Sequence, residues 1–322
     1  RGACQVTNQK RLPINQHSAV IMKTSKVVVV GSINADQVYR VKSVPLLGQS
    51  LPAMGYERHL GGKGMNQAWA MWQAGLKSVQ MHAIIGQADG HWIIEELKEV
   101  GFDATHIRQT SLEATGQVMI MIQANGDTAS VYHFAANLTW NPQDWQQILN
   151  DMTAGDWLIV QNEINGVEEL IGMARATGIG LRIVWNPAPA LSPILCTYSQ
   201  VDYLVVNEAE AMELAKLFNH SLNRDDLVEA LREAIKVPNL IITLGAEGVV
   251  AWLHGHKYRL PAPKIEAIDT VGAGDCFLGY LIAGWQQLGL GDEQALGLAM
   301  QAAALTCTRP GAMAAIPRLD EI

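Results

Sequence analysis

The residues richest in chemistry are Asp269-Thr-Val-Gly-Ala-Gly-Asp275, followed at once by the apolar run Cys276 to Trp285. Small residues ahead of a long apolar stretch read as a glycine-rich turn that opens a helix, with Asp275 in its first turn. Such a start leaves backbone N–H groups without intrahelical partners and adds the positive end of the helix dipole. Together these make an anion site, usually for phosphate. A carboxylate there repels phosphate unless it has other work, and the work that fits is accepting a proton beside a phosphoryl-transfer site. A lone Asp would read as a dipole complement. Here Gly272 and Gly274 let the backbone approach a ligand, and Asp269 adds an oxygen donor before the turn.

Three further segments have matching chemistry. Gly61-Gly62-Lys63-Gly64-Met65-Asn66-Gln67 also leads into a helix, but it has neither the G-x-G-x-x-G spacing nor a G-x-x-x-x-G-K-[ST] loop. By itself it could be a tight turn; beside the Asp275 motif it suggests nucleotide phosphate handled by another route, with a sugar-sized ligand near Asn66. Gly31-Ser-Ile-Asn34-Ala-Asp36 follows the first apolar strand, and alternation aims Asn34 and Asp36 to one side of the chain. An amide plus a carboxylate can satisfy two vicinal hydroxyls, although both are ordinary turn residues. Asn207-Glu-Ala-Glu210 opens another helix; its acids complement a dipole, or hold the water shell of a magnesium ion.

The elements that must position these groups alternate along the chain. Strands are expected at Val27–Gly31, Val79–Ile85, Trp157–Gln161, Arg182–Trp185, Tyr203–Val206 and Leu240–Leu244, with a hairpin pairing Val249–Leu253 and Lys257–Leu260. Helices are expected at Met65–Ala74, Gly90–Val100, Pro142–Met152, Val167–Ala176, Ala209–Phe218, Asp225–Ile235, Asp275–Gln287 and Asp292–Thr306. This order implies an α/β layer fold around a buried, mostly parallel sheet. Two segments break it, about 35–60 and 115–135, the second with a hairpin signal at Asn125-Gly126-Asp127. They are expected to form small antiparallel strands, a lid over the carboxyl edge where ligands bind in such folds.

Composition narrows the class. The 322 residues carry a net charge of -8 with no basic block, which excludes a nucleic-acid or membrane-surface footprint. No apolar run approaches the ~20 residues that span a bilayer. Four scattered cysteines without a C-x-x-C pair suit reduced thiols in a cytoplasmic protein. Residues 1 to about 25 are polar and aperiodic, and read as a disordered extension or tag, with Met22 a plausible start and one domain over 26–320. Trp69 and Trp72, on one helix, read as core.

DTVGAGD with its helix and GGKGMNQA near the amino end resemble the two signatures of the ribokinase-like (PfkB) carbohydrate kinases. GSINAD, Trp185-Asn-Pro-Ala-Pro-Ala190, the N-x-x-E at 207–210, Thr243-Leu-Gly245 and Thr308-Arg-Pro-Gly311 fall in that family's order. The resemblance implies a three-layer αβα fold with a β lid that also clasps a homodimer. It implies ATP-dependent phosphorylation of the 5-hydroxyl of D-ribose, with Mg2+ and an activating monovalent cation, K+. Asp275 is then the base, and amides of Gly272, Ala273 and Gly274 form the anion hole. Asn34, Asp36, Gly62, Lys63, Asn66 and Glu163 hold the sugar together with Asp275. Asn207, Thr243, Gly245 and Gly274 lie along ATP, and Glu210 acts on Mg2+ through water. Asp269 and carbonyls of Val271, Thr306, Arg309, Gly311 and Ala315 hold the monovalent ion.

Three departures stand out against that pattern. Met65 replaces a small residue and adds bulk beside the sugar; Ala135 replaces a glycine and would stiffen the segment after the lid; Met300 replaces a polar residue near the adenine. The alternatives are a nucleoside kinase using Tyr39 and Tyr56, a deoxyribose kinase, a phosphofructokinase-type relative, or a sugar-binding regulator without turnover. Asn34 weighs against the second, Lys63 as the lone cation against the third, and the intact Asp275 motif against the last.

Overall fold

The computed structural model describes residues 25–123, 127–189, 192, 194–218 and 226–322. The extension expected over 1–24 and the turn residues Asn125 and Gly126 lie outside the described residues. In order the chain forms β1 (Val27–Val30), β2 (Asn34–Val41), β3 (Gly55–Gly61), α1 (Lys63–Gln73), β4 (Gln80–Gly86), α2 (His91–Glu99), β5 (Ile107–Thr110), β6 (Gly116–Gln123) and β7 (Thr128–His133). Then come α3 (Pro142–Asn150), β8 (Trp157–Gln161), α4 (Val167–Ala176), β9 (Arg182–Asn186), β10 (Tyr203–Asn207), α5 (Glu208–Leu217), α6 (Leu227–Ile235), β11 (Asn239–Thr243), β12 (Val249–Leu253), β13 (His256–Leu260), α7 (Ala273–Gln286) and α8 (Asp292–Cys307).

Nine strands make the main sheet, ordered β13-β12-β11-β10-β9-β8-β1-β4-β5, parallel except where β12 and β13 turn back. Val27–Val30 is buried throughout because a central parallel strand has helices on both faces. Its alternation assigns Val27 and Val29 to a core with α1, α2, α7 and α8, and Val28 and Val30 to a core with α3, α4, α5 and α6. This is the expected three-layer αβα architecture. Trp69 is 8% exposed, stacks on Trp72 at 4.9 Å and belongs to the first core, as its helical spacing implied.

One strand escaped the sequence reading. Ile107–Thr110 forms edge strand β5, and only Ile107 is buried there, so four residues carry no usable apolar period. The smaller sheet has order β3-β2-β6-β7. Its outer pairings are antiparallel, as expected of both segments, but its central β2–β6 pairing is parallel. These two strands come from distant parts of the chain, so no hairpin dictates their direction. The register sets Asn34 opposite both Gly61 and Gly116, which brings the small sheet's base to the start of α1.

Candidate active site

Asn34 and Asp36 are not turn residues after β1; they open β2. The Asn34 amide is held at both ends. Its Oδ1 accepts from Asn137 Nδ2 at 2.8 Å, and its Nδ2 donates to Glu163 Oε2 at 3.3 Å. Asn137 also closes both peptide groups of Ile33. Glu163, two residues past β8 and 3% exposed, takes two further donors, Ser32 Oγ at 2.5 Å and the Lys63 backbone N–H at 3.1 Å. That last bond satisfies a free N–H at the start of α1, where a carboxylate also meets the positive end of the dipole.

Asp275 sits against the same first turn. Its Oδ2 accepts from Asn66 Nδ2 at 3.1 Å and its Oδ1 from Gln67 Nε2 at 2.9 Å. Asn66 Oδ1 and Asp36 Oδ1 are buried and have no partner among the described residues. Buried acceptors without donors are costly, and a polyhydroxyl ligand supplies donors of that kind. The expected sugar-side set of Asn34, Asp36, Lys63, Asn66, Glu163 and Asp275 is therefore one cluster, with Gly62 capping α1 at its centre.

Electrostatics tie the cluster together. The Lys63 ammonium is held above its ordinary pKa by Asp275 first, against burial, with Glu163 and Glu210 adding to it. Burial pushes Glu163 up despite the bonds from Ser32 and Lys63. Asp36 is raised from 3.8 to about 7, through burial and then repulsion by Glu163 and Asp275. Asp36 is half-buried as a residue, but its Oδ1 is shut off from solvent and governs the shift.

The sign follows from proton counting. A carboxyl raised on folding binds more protons in the folded state, so its contribution to stability falls as pH rises from 3.8 to about 7, then stays flat. Asp36→Asn is therefore expected to be more stable than the parent at pH 8 and to lose that advantage as the pH falls toward 4. Urea titrations at both ends check this; an advantage that grows in acid would contradict it.

The nucleotide-side candidates line the carboxyl edge of the sheet. Asn207 ends β10 in register with Thr243 at the end of β11, and Gly245 follows with φ of 57°. Asn207 and Glu210 form a reciprocal cap on α5: Asn207 Oδ1 accepts from the Glu210 N–H at 2.8 Å, and Glu210 Oε2 from the Asn207 N–H at 2.9 Å. Burial raises Glu210 as well.

The amide set differs from the expectation in one member. The helix α7 starts at Ala273, and the Ala273 N–H donates to the Thr270 carbonyl at 3.3 Å. Among the described residues no backbone acceptor meets the N–H of Gly272, Gly274 or Asp275. The helix starts two residues earlier than expected, and the turn ahead of it occupies the Ala273 amide while that of Asp275 stays free.

Asp269 ties two loops together, its Oδ1 accepting from the Val271 N–H at 3.0 Å and its Oδ2 from the Gly311 N–H at 2.9 Å. The Thr306 carbonyl accepts from the Arg309 N–H at 3.1 Å, while no donor among the described residues reaches the carbonyls of Val271, Arg309, Gly311 or Ala315. Such free carbonyls beside a carboxylate fit a weakly hydrated monovalent cation. Among the described residues no group of three or more His, Cys, Asp or Glu is arranged to hold a metal.

Two of the three departures lose their expected effect. Met65 and Met300 point into the first core, 0% and 7% exposed, because their helix faces pack between α1, α7 and α8. The third matters: Ala135 has φ of 43°, a left-handed conformation that suits glycine. Ala135→Gly is expected to stabilise the protein by about 0.5–1 kcal/mol, the relieved strain exceeding the entropy gained by the unfolded chain. Thermal denaturation tests this, and a loss of stability would refute the strain.

Sequence reasoning missed Ser32, Gln67, Asn137, Gln161 and Asn186. Ser32, Gln67 and Asn186 lay inside motifs already singled out, but nothing local distinguishes a buried polar side chain that braces a site from one that fills a core.

Among the described residues no helix is long and apolar enough to cross a membrane. The chain is 31% identical over 304 residues to a ribokinase of Staphylococcus aureus, spanning 93% of this chain and 99% of that protein. The crystal structure of ribokinase from Thermotoga maritima has the same fold, with a TM-score of 0.82 at 29% identity over 92% of this chain and 97% of its own. Ribokinase from Cryptococcus neoformans in complex with ADP gives 0.75 at 28% identity over 92% and 98%. Residues 24–319 match the pfkB family carbohydrate kinases over the whole two-sheet body that carries this cluster, and the protein is a member of that family.

Proposed function

We propose that the protein is an ATP-dependent kinase that phosphorylates the 5-hydroxyl of D-ribose, giving D-ribose 5-phosphate and ADP. One observation carries the reading: two buried acceptors without donors, Asp36 Oδ1 and Asn66 Oδ1, lie in the cluster that holds Asp275. Asn34, Asp36, Asn66 and Glu163 bind the sugar hydroxyls, and Asp275 takes the proton of the attacking alcohol as its oxygen bonds to the γ-phosphorus and ADP departs. The free amides of Gly272 and Gly274 face the charge that moves across the phosphoryl oxygens. ATP lies along Asn207, Thr243 and Gly245. The name and the ADP complex of the relatives support this assignment.

Glu210 would hold Mg2+ through water, and Asp269 with the carbonyls of Val271, Thr306, Arg309, Gly311 and Ala315 would hold K+. There Mg2+ would supply positive charge against the phosphoryl oxygens. The small sheet, over about 35–60 and 115–135, serves as a lid that excludes water. Tyr56, Met119 and Val131 are exposed on its face opposite Asp36, a patch suited to a second copy of this chain. A monomer by light scattering at working concentration would overturn that pairing. A cytoplasmic setting suits the ATP supply and the exposed free thiol of Cys196.

Tyr39 and Tyr56 pack with tilted rings 5.1 Å apart, but strand alternation turns them away from Asp36, which weakens the nucleoside reading. The test is ADP release with ribose, deoxyribose, fructose and adenosine, each with and without potassium. Ribose is expected to lead and potassium to raise its rate. Adenosine or deoxyribose ahead by tenfold, on the order of a missing hydrogen bond, would replace ribose as the substrate.

A further inference from the structure

Gln67 is fully buried on α1, next to Asn66, and neither sugar nor nucleotide binding accounts for its contacts. Its Nε2 donates to Asp275 Oδ1 at 2.9 Å and to Asn186 Oδ1 at 3.1 Å, and its Oε1 accepts from Gln161 Nε2 at 2.7 Å. Asn186 Nδ2 in turn donates to the Val205 carbonyl at 2.9 Å.

The direction of this amide chain is forced. A carboxylate at one end and a backbone carbonyl at the other only accept, so Gln67 must present its NH2 group to Asp275 and Asn186 its own to Val205. Gln67 Oε1 is then left to accept, which requires the NH2 of Gln161. Flipping any one of the three amides sets oxygen against oxygen or NH2 against NH2. The chain links the ends of β8 and β9 and the first turns of α1 and α7. Its neighbour Asn66 holds the other oxygen of Asp275 while keeping its own Oδ1 unpartnered. Asn66 therefore serves the ligand side of the carboxylate and Gln67 the protein side.

We propose that Gln67 is a positioning residue for phosphoryl transfer: the chain Gln161–Gln67–Asn186 sets the rotation of the Asp275 carboxylate and so which oxygen meets the acceptor hydroxyl. This rests on Asp275 being the base. The charged groups that act with Asp275 are Lys63 at the start of α1, Asp36 on β2 and Glu163 after β8. All three remain when only amides are changed.

The experiment uses the full chain with ATP and its best acceptor sugar, in Gln67→Leu, Gln161→Leu and Asp275→Asn. Kinetics are taken across pH, with acceptor affinity by calorimetry. In Gln67→Leu, kcat is expected to fall about tenfold or more with KM within about threefold, since misplacing a reacting group costs turnover more than binding. The acid limb of kcat should move to higher pH, because a donor to the charged form is gone. Gln161→Leu should show the same signs with a smaller fall. An acid limb that stays or moves down, or a kcat loss matched by a loss of affinity, overturns the proposal. If Gln67→Leu fails to fold, Gln161→Leu decides on the same criteria. Parental turnover in Asp275→Asn overturns the base assignment and this proposal with it; a collapse there beside two unaffected leucine variants overturns this proposal alone.

Discussion

Asp275→Asn should lower turnover by about 10²–10⁴-fold, the usual contribution of a positioned general base. The size rests on geometry. Asp275 is 6% exposed, so water cannot readily substitute as proton acceptor, and its two oxygens are already aimed by Asn66 and Gln67. An asparagine keeps the shape but has no basic lone pair for the alcohol proton. It also turns one NH2 toward a donor, either Asn66 or Gln67, a mismatch of about 1–3 kcal/mol. A modest fall in melting temperature should therefore accompany the loss of rate. Acceptor affinity should change far less than kcat, because Asn34, Asp36 and Glu163 are untouched. Steady-state ADP release plus calorimetric titration of the sugar separates the two. Turnover within a factor of two of the parent, with binding intact, would remove Asp275 from the mechanism.

Gly62→Ala should be a severely damaging single methyl in the site. Gly62 has φ of 96° and ψ of 136°, a region closed to L side chains, and it caps α1. A Cβ there would lie 2.8 Å from the Ser32 carbonyl oxygen, 2.9 Å from the Asn34 nitrogen and 3.0 Å from Ile33 Cα. All three are backbone atoms, so no rotamer change makes room. Strain and overpacking together should cost about 3 kcal/mol or more. The same shift displaces Asn34 from Glu163, so KM for the sugar should rise on the order of tenfold or more. Gly245→Ala is the control. It too has positive φ, at 57°, but open space around the new methyl, so about 1 kcal/mol of strain is expected and no change in sugar KM. If both variants behave alike, the close approach of the α1 cap to the β1–β2 turn has no energetic weight.

Much of this architecture is written in local pattern. Val167–Ala176 was bounded to the residue, since its apolar positions recur at helical spacing and Gly166 precedes it in a left-handed turn. β8 was likewise bounded, because Trp157–Gln161 is short, apolar and flanked by turns. β5 and the parallel β2–β6 pairing left no trace, since each depends on which strand arrives alongside. Met65 shows the same limit. Motif position set it beside the sugar, but a helix residue faces whatever its neighbours bury, and α7 and α8 turned it into the core.

At the site the division is sharper. Residue type and spacing alone pick out Asp275 and its glycines, Asn66 and the Asn34/Asp36 pair, because a glycine turn opening a helix creates an anion site wherever it occurs. Tertiary structure alone decided that Glu163, 100 residues from Lys63 in the chain, binds Asn34 and the α1 cap, and that Gln67 braces the carboxylate. It also decided that Asp36, an ordinary acid in the sequence, shares its burial with two other carboxylates and stays protonated to about pH 7. Hydrogen-bond reach and charge repulsion act over a few ångströms of space, and separation along the chain carries no measure of that distance.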